Sequence, residues 1–547
     1  MKNKLIIGIY LIESIILSVS IFGLNEITID TDFNFPLNKE GALRWITNNL
    51  DGYTFDVRGI NKLFIGIIMY GLYMLFNYLI VMKIMQTLII FLSLVSTYYL
   101  LTTMHNMLFR NSSSKPILYI FLISQLIIFN NFTLSSRFAT LSNLIFIYVY
   151  VPVTIYFILK YIQLKKLRYI ILINIITLIF PVSQPVYFII NFVFINLFIL
   201  LFINNNNFYE KIYTLIKTNL SFISLIGILI LYQLNIINAT SPFISTALEE
   251  LERNTPSPLQ FFTGHEYPLR EFYYCINNEC YYTNYANKFY ENYKFLDYLY
   301  MIKYIIIAIS ILYCKKSKLL YVHLLYIIII YLVINTQIFK TNPEIALALR
   351  IPFYRFAFPI VILEMTILLF VHHLKLKIFV ISYLIILLLI YYFPLYSGHI
   401  YKNSPLFNYR LTSYELSTLE ADINQINSLQ GPIIYLPYSN SRYYVCFLMV
   451  DKKIYYFINP FYLFSNKNIF YNSRYFESSL VNITNFIYQF SSINIVIEKS
   501  PCLTIPSISK FDVRQVIPIE SLIPYQCSVN LYNLTNFMVY HVKCSSK

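Results

Sequence analysis

Asp30 and Asp32 stand two residues apart in the stretch Ile29-Asp30-Thr31-Asp32-Phe33-Asn34-Phe35-Pro36, just beyond an apolar run covering 5–24. A carboxylate at the edge of a membrane is partly desolvated and so a stronger base, and it meets the head group of any lipid-linked substrate. The alternative is a solvated polar loop in which an Asp caps a helix end. Farther along, Arg350 and Arg355 flank Pro352 in Leu349-Arg350-Ile351-Pro352-Phe353-Tyr354-Arg355-Phe356. Two guanidiniums beside a proline bend can grip a phosphate through paired hydrogen bonds. Arginines that snorkel at the end of a membrane crossing are the simpler alternative. Together, an acidic early loop and a late Arg-Pro-Arg loop on one face suggest a single site with a base and a phosphate clamp. His265 and Glu266 could bind a metal or shape a substrate, on the thin support of one imidazole and one carboxylate.

Glu13 and Glu364 fall inside apolar runs, where burying a charge is costly and function is the default expectation. The nearest cation, Lys303, is placed toward an outer end, so a proton or ion path finds no obvious partner. Pairing with Tyr or backbone groups is expected instead.

The elements that must position these residues follow from composition. Of 547 residues only 12% are charged and 58% are hydrophobic, with a mean hydropathy of +0.59. Soluble domains carry about 25% charged residues, so an ordinary soluble enzyme is excluded and the missing charge must face lipid. The net charge of +15 does not indicate nucleic acid, because the basic residues lie between apolar runs rather than on one face. Lys2 and Lys4, then Lys160, Lys165, Lys166 and Arg168, then Lys315, Lys316 and Lys318, then Lys375 and Lys377 form such clusters, the pattern of cytoplasmic loops.

A helical crossing needs about 20 apolar residues. The runs that qualify or nearly qualify are 5–24, 63–82, 86–104, 116–130, 141–159, 169–183, 184–203, 218–236, 297–314, 319–335, 356–374 and 378–394. The first is too long for a signal peptide and has no small-residue cleavage site, so it reads as a retained anchor. Placing the basic clusters inside leaves the loops 25–62, 237–296 and 336–355 outside, with the turn at 131–140 and everything beyond 394. Arg110 and Lys115 ask to be inside, which demands an odd number of crossings from 62 to 110, where two runs lie. One of 63–82 or 86–104 is therefore expected to lie along the membrane or re-enter it, leaving about eleven crossings.

The chain thus divides into a polytopic domain, 1–394, and an extracytoplasmic α/β domain, 395–547, whose runs shorten to strand length. Residues 432–437, 442–449, 453–458, 493–498 and 537–543 read as strands, with helices near 413–429 and 478–490. Sequons at Asn482 and Asn533 fit an exported surface. Tyr435, Tyr438, Tyr443 and Tyr444 could stack on sugar, although packing explains them as well in so tyrosine-rich a chain.

Cysteine usage agrees with this sidedness. Cys314 adjoins a basic cluster, whereas Cys275, Cys280, Cys446, Cys502, Cys527 and Cys544 all fall outside, where disulfides persist. Cys275 and Cys280 can close a small loop; the other four allow three connectivities, among which sequence does not choose. Unpaired buried thiols are the alternative. No CxxC spacing supports zinc. Neither a Walker sequence nor a GxGxxG is present, and only 11 residues are glycine, so nucleotide-driven transport and dinucleotide redox chemistry lose their usual supports.

This layout resembles the GT-C superfamily of polytopic glycosyltransferases. Three stretches carry the resemblance: the acidic first loop 29–36, the late loop 349–356, and the outer segment opening with Ile433-Ile434-Tyr435-Leu436-Pro437. The last is similar to archaeal and bacterial members with an exported C-terminal domain, including arabinofuranosyltransferase-like proteins. The Trp-Trp-Asp-type sequence of the oligosaccharyltransferase catalytic subunit is absent.

The resemblance implies a transferase that takes sugar from a polyprenyl (dolichyl-type) phosphate donor and passes it to an extracytoplasmic glycan, lipid or protein acceptor. An acidic residue of the first loop would act as base, or would position the acceptor or a divalent cation, Mg or Mn. Asp32 is the first choice and Asp30 the second. Arg350 and Arg355, with Arg44 of the first loop, would neutralise the departing phosphate. The implied location is the plasma membrane, with the N-terminus cytoplasmic. The rival class is a non-enzymatic transporter or scaffold for cell-surface polymer, which would show a midplane site lined by Glu13, Glu364 or broken helices. A third reading is an inactive relative that keeps the fold.

Overall fold

The computed structural model describes residues 2–22, 26–29, 38–39, 41–43, 46, 57–109, 116–129, 147–179, 185–203, 208–219, 251, 255–262, 274–276, 279–281, 295–313, 317–341, 352–371, 377–396, 409–436, 454–455, 487, 490–498 and 523–544. These residues are mostly helical. Helix α1 covers Lys2–Phe22, α2 Val57–Tyr73, α3 Tyr78–Leu108, α4 Ile117–Ile128, α5 Ile147–Leu164, α6 Leu167–Ile179, α7 Pro185–Phe202 and α8 Phe208–Thr218. After the short α9, Pro258–Phe262, come α10 Phe295–Leu312, α11 Ser317–Ile334, α12 Pro352–Val371, α13 Lys377–Tyr396 and α14 Ser413–Ser428.

Most of the apolar runs become these helices, with Pro152 and Pro359 carried inside α5 and α12, and local chemistry sets several of their ends; the run 218–236, apart from its first two residues, lies outside the described residues. The Asn77 side chain accepts the Ile80 N–H at 3.1 Å and starts α3. Proline opens α7 and α12, where its missing N–H has no helical partner to lose. Between α5 and α6 the chain reverses through Lys165, which takes a left-handed φ of 53°.

The stretch from 63 to 104 folds differently from its two apolar runs. The break falls at residues 74–77, so the end of the first run joins the second in a single helix of 31 residues. At 1.5 Å per residue α3 is about 46 Å long. Among the described residues it is the one helix long and apolar enough to cross a membrane, and several shorter apolar helices accompany it.

Helix α3 packs against α1, α4 and α5, while α12 packs against α4, α7, α10 and α11. Direction follows from end contacts. Lys83 Nζ donates to the Ser18 carbonyl at 3.2 Å, so the start of α3 lies beside the end of α1. At the other end Phe109 rests on Phe370, and the Tyr119 hydroxyl donates to the Leu368 carbonyl. The outside of the bundle is apolar. On α11, Leu320, Leu324, Ile327, Ile328 and Tyr331 are all exposed, at the spacing of one helical face.

The C-terminal segment carries a five-stranded sheet, ordered β6-β5-β7-β9-β8, from β5 Ile433–Leu436, β6 Ile454–Tyr455, β7 Ser492–Glu498, β8 Cys527–Asn533 and β9 Phe537–Cys544. The pairs β5/β6 and β5/β7 are parallel; β7/β9 and β8/β9 are antiparallel. Alternation sorts the faces. Ile433, Val496 and Val539 join Leu419, Ile423 and Ile426 of α14 in a core continuous with the helical body. Ile434, Ile493, Ile495, Ile497 and Val542 form a second cluster with Ile487. Strand β8 has no counterpart among the stretches read as strands from sequence. The readings at 442–449 and, apart from Ile487 and Phe490, 478–490 lie outside the described residues, as does Asn482.

Side chains lock this sheet to α14. The Asp422 carboxylate accepts the backbone N–H of Thr535 at 3.2 Å and of Asn536 at 2.6 Å, and the Asn536 side-chain amide at 3.0 Å. A buried carboxylate with amide donors is worth about 1.5–3 kcal/mol per charged hydrogen-bond set. Asp422→Ala is therefore expected to destabilise the β8–β9 turn by about 2–3 kcal/mol. Amide hydrogen exchange at Thr535 and Asn536 should accelerate, and unchanged exchange there would rule this role out.

Two short pairings complete the strands. β1 Glu26–Ile29 is antiparallel to β4 Tyr409–Thr412, with Glu26 opposite Thr412 and Ile29 opposite Tyr409. β2 Tyr274–Ile276 and β3 Glu279–Tyr281 form a hairpin that sets Cys275 opposite Cys280.

Candidate functional site

Of the four sequence-selected residues of the base and clamp, Arg355 lies in a described helix, and Asp30 directly follows a described strand in the sequence. Asp30 is the residue after β1, and β1 is bonded to β4, which leads directly into α14. The first loop is thus stitched to the C-terminal segment at the point where the acidic stretch begins. Arg355 lies in the first turn of α12. Pro359, inside the same helix, lacks the N–H that would bond the Arg355 carbonyl. Since Phe370 near the end of α12 meets Phe109 at the end of α3, the first turn of α12 lies toward the end of the bundle that holds the start of α3 and the end of α1. Asp30, Asp32, Arg44, Arg350, His265 and Glu266 themselves lie outside the described residues, and of the Arg355 side chain nothing is described.

Among the cysteines the structure joins Cys527 to Cys544, which are directly opposed on β8 and β9. The disulfide closes the open end of the hairpin whose turn Asp422 holds. Cys314, Cys446 and Cys502 lie outside the described residues.

Two polar centres inside the helical body are fully formed. In the first, Lys303 of α10 places its ammonium 2.9 Å from Glu364 Oε2, while the Tyr326 hydroxyl of α11 donates to Glu364 Oε1 at 2.8 Å. The sequence reading set Lys303 toward an outer end with no carboxylate partner. Its side chain is instead 9% exposed and that of Glu364 3%. The long lysine stem lets an ammonium near a helix end reach inward. The rings of Tyr304 and Tyr300, 4.6 and 5.5 Å from Nζ, surround the charge with aromatic faces.

In the second centre Glu13 of α1 meets Gln125 of α4 and Tyr392 of α13. Gln125 Nε2 donates to Glu13 Oε2 at 2.5 Å, the Tyr392 hydroxyl contacts Gln125 Oε1 at 2.5 Å, and the same hydroxyl contacts Glu13 Oε1. Pairing of Glu13 with a tyrosine agrees with the expectation from sequence; the glutamine does not appear in it. Neighbouring polar contacts continue along α1. Tyr10 OH bonds Ser124 Oγ at 2.5 Å, and Ser18 Oγ donates to Gln86 Oε1 at 3.3 Å.

Glu13 and Glu364 therefore belong to separate networks with different partners. Among the described residues no group of His, Cys, Asp and Glu is arranged to hold a metal ion. Comparison with known protein families, characterised proteins and solved structures finds no match for this chain.

Proposed function

We propose that the chain is a polytopic membrane glycosyltransferase of GT-C type that moves a sugar from a polyprenyl-phosphate donor to an extracytoplasmic glycan, lipid or protein acceptor. The observation that carries this reading is the β1–β4 pairing. It ties the acidic first loop to the C-terminal α/β segment, at the end of the bundle toward which the first turn of α12 brings Arg355. This supports a reading in which a base, a phosphate clamp and an acceptor-facing layer work at one end of the bundle.

The apolar exterior of the bundle supports placement in a bilayer, since so large an exposed apolar surface is unstable in water. In this reading α3 is the crossing that takes Arg110 and Lys115 inside, and the run 63–82 is the one that lies along the membrane or re-enters it. About eleven crossings then leave the N-terminus cytoplasmic and residues 395–547 outside. In the reaction Asp32, or Asp30 in its place, takes the proton of the acceptor hydroxyl as that oxygen attacks the anomeric carbon. The lipid phosphate leaves toward Arg350 and Arg355, with Arg44 beside them.

The test is transfer from radiolabelled polyprenyl-phosphate sugars to endogenous acceptors, in membranes carrying wild type or Asp32→Asn at matched expression, with and without Mg or Mn. Transfer that collapses in the variant supports the enzyme class and the base together. Equal transfer removes Asp32 from catalysis. No transfer with any donor moves the weight to a transporter or scaffold of cell-surface polymer.

A further inference from the structure

Helix α8 carries its apolar side outward. Tyr209, Ile212, Tyr213 and Ile216 recur at the spacing of one helical face, and all four are exposed. The side turned to the protein is mostly polar. Thr214, Thr218 and Asn219 are buried, and the Asn219 side-chain amide donates to Asn196 Oδ1 of α7 at 2.6 Å. Helix α8 also packs on α6, whose Leu167, Ile171 and Ile175 are exposed in the same way. The outward stripe of α8 thus continues the apolar exterior of the bundle.

The same end of the bundle is strongly basic. Between Asp56 and Glu249 the chain contains a single acidic side chain, Glu210, in the first turn of α8. Its carboxylate lies 3.8 Å from Lys165 Nζ, at the left-handed elbow between α5 and α6, and so draws α8 to that elbow. The Lys217 ammonium rests 4.2 Å from the centre of the Tyr213 ring and is near enough to the Tyr161 hydroxyl of α5 to interact with it. Lys166 and Arg168 are exposed at the elbow, with the Arg168 guanidinium 5.0 Å from the centre of the Tyr169 ring. Lys160 and Lys211 add to the group, and among the described residues the contact of Lys165 with Glu210 is the one ion pair that these six cations make.

We propose that the α5–α6 elbow and α8 bind the headgroups of anionic phospholipids, with the outward stripe of α8 set against the acyl chains beneath them. The surface makes two demands at once, negative charge for the cations and an apolar layer for the stripe. A lipid surface meets both. Its phosphates accept charge-assisted hydrogen bonds from lysine and arginine, whose stems carry the charge past the apolar layer to the headgroups. The hydrocarbon below covers Ile212 and Ile216, as it does for helices that lie in a membrane interface. Tyr209 and Tyr213 suit the boundary, where a tyrosine ring meets lipid while its hydroxyl meets water. A free phosphate would answer the charge and leave the stripe bare. The inference rests on the bundle lying in a bilayer and not on the transferase reading.

The test places the full chain in lipid nanodiscs of phosphatidylcholine, alone or mixed with phosphatidylglycerol. Amide hydrogen exchange over 208–218 should slow in the mixed discs, and native mass spectrometry of the released protein should show phosphatidylglycerol retained in preference to phosphatidylcholine by about tenfold. Lys165→Gln, Lys166→Gln and Lys217→Gln together should remove both effects. Arginine at the same three positions should keep them, which separates lost charge from lost folding. Ile212→Ser with Ile216→Ser changes exposed positions alone and should reduce the protection of 208–218 in the mixed discs. Equal retention of the two lipids, or a preference that survives the glutamine variant, overturns the site. Displacement of phosphatidylglycerol by soluble glycerol phosphate, with exchange over 208–218 unaltered, would mean a site for free anions and overturns the lipid assignment. A chain that does not enter the nanodiscs overturns the site together with the bilayer placement, whereas incorporation without a lipid preference overturns the site alone.

Discussion

Lys303→Met should lower the stability of the helical body by about 3–5 kcal/mol, the usual cost of removing one partner from a buried ion pair. The ammonium is the charge that balances Glu364, and both side chains are more than nine-tenths buried. Without it the carboxylate keeps the Tyr326 hydroxyl but loses its counter-charge in a medium that solvates ions poorly. Three helices feel the loss, because Lys303, Tyr326 and Glu364 join α10, α11 and α12. Helix α12 carries Arg355 in its first turn, so the pair also fixes the element on which the proposed clamp stands.

The companion experiment separates charge imbalance from lost packing. Replacing a buried ion pair by neutral groups of similar size is often close to neutral, so Lys303→Met combined with Glu364→Gln should recover most of what Lys303→Met loses. Denaturant unfolding in detergent micelles, arranged as a double-mutant cycle, reads this directly. If the double variant falls by the sum of the two single losses, the pair is not the source of the effect.

How far these centres can be read from sequence depends on how local their causes are. The apolar runs, the helix at 413–428 and the strands at 433–436 and 492–498 declare themselves through composition and alternation over a few residues. Strand β8 does not. It lies at the edge of the sheet with most of Cys527–Asn533 exposed, so it never needs the apolar alternation that marks a half-buried strand.

The ring around Glu13 is illegible for a different reason. Its members are separated by 112, 267 and 379 residues, and a glutamine among isoleucines carries no mark of its partner. The position of Lys303 in an apolar run points to an outer end, whereas its environment is set by which side of α10 meets α12. The β1–β4 pairing is likewise a contact between distant segments, each only four residues long. Residue types are thus visible in the sequence, whereas contacts between distant segments are encoded by no local pattern.

Gly431→Ala should be the most damaging single methyl addition in the C-terminal sheet. Gly431 joins α14 to β5 with φ at 90°, in the region that side chains with a Cβ rarely adopt. A Cβ there would overlap the backbone carbonyl of Ser492, the first residue of β7, and come within 2.8 Å of its Oγ. The carbonyl cannot move aside cheaply. The next residues hold the two strands together, as Asn494 N–H donates to the Pro432 carbonyl at 2.9 Å and the Asn494 side-chain amide donates to Gln430 and Gly431 carbonyls at 3.0 and 3.2 Å. Asn494 is fixed from the other side by His541, whose Nδ1 lies 2.7 Å from Oδ1 and carries the proton, since that amide oxygen is the acceptor. The unfavourable φ contributes about 1–2 kcal/mol and the overlap about 1–3 kcal/mol, for a total near 2–5 kcal/mol. Hydrogen exchange should rise across β5 and β7 while β8 and β9, joined by Cys527 and Cys544, change less. Ser492→Ala should not rescue the variant, because the obstructing carbonyl belongs to the backbone. Wild-type exchange in Gly431→Ala would mean that the turn can reach a second backbone conformation, and that β5 does not depend on this close approach.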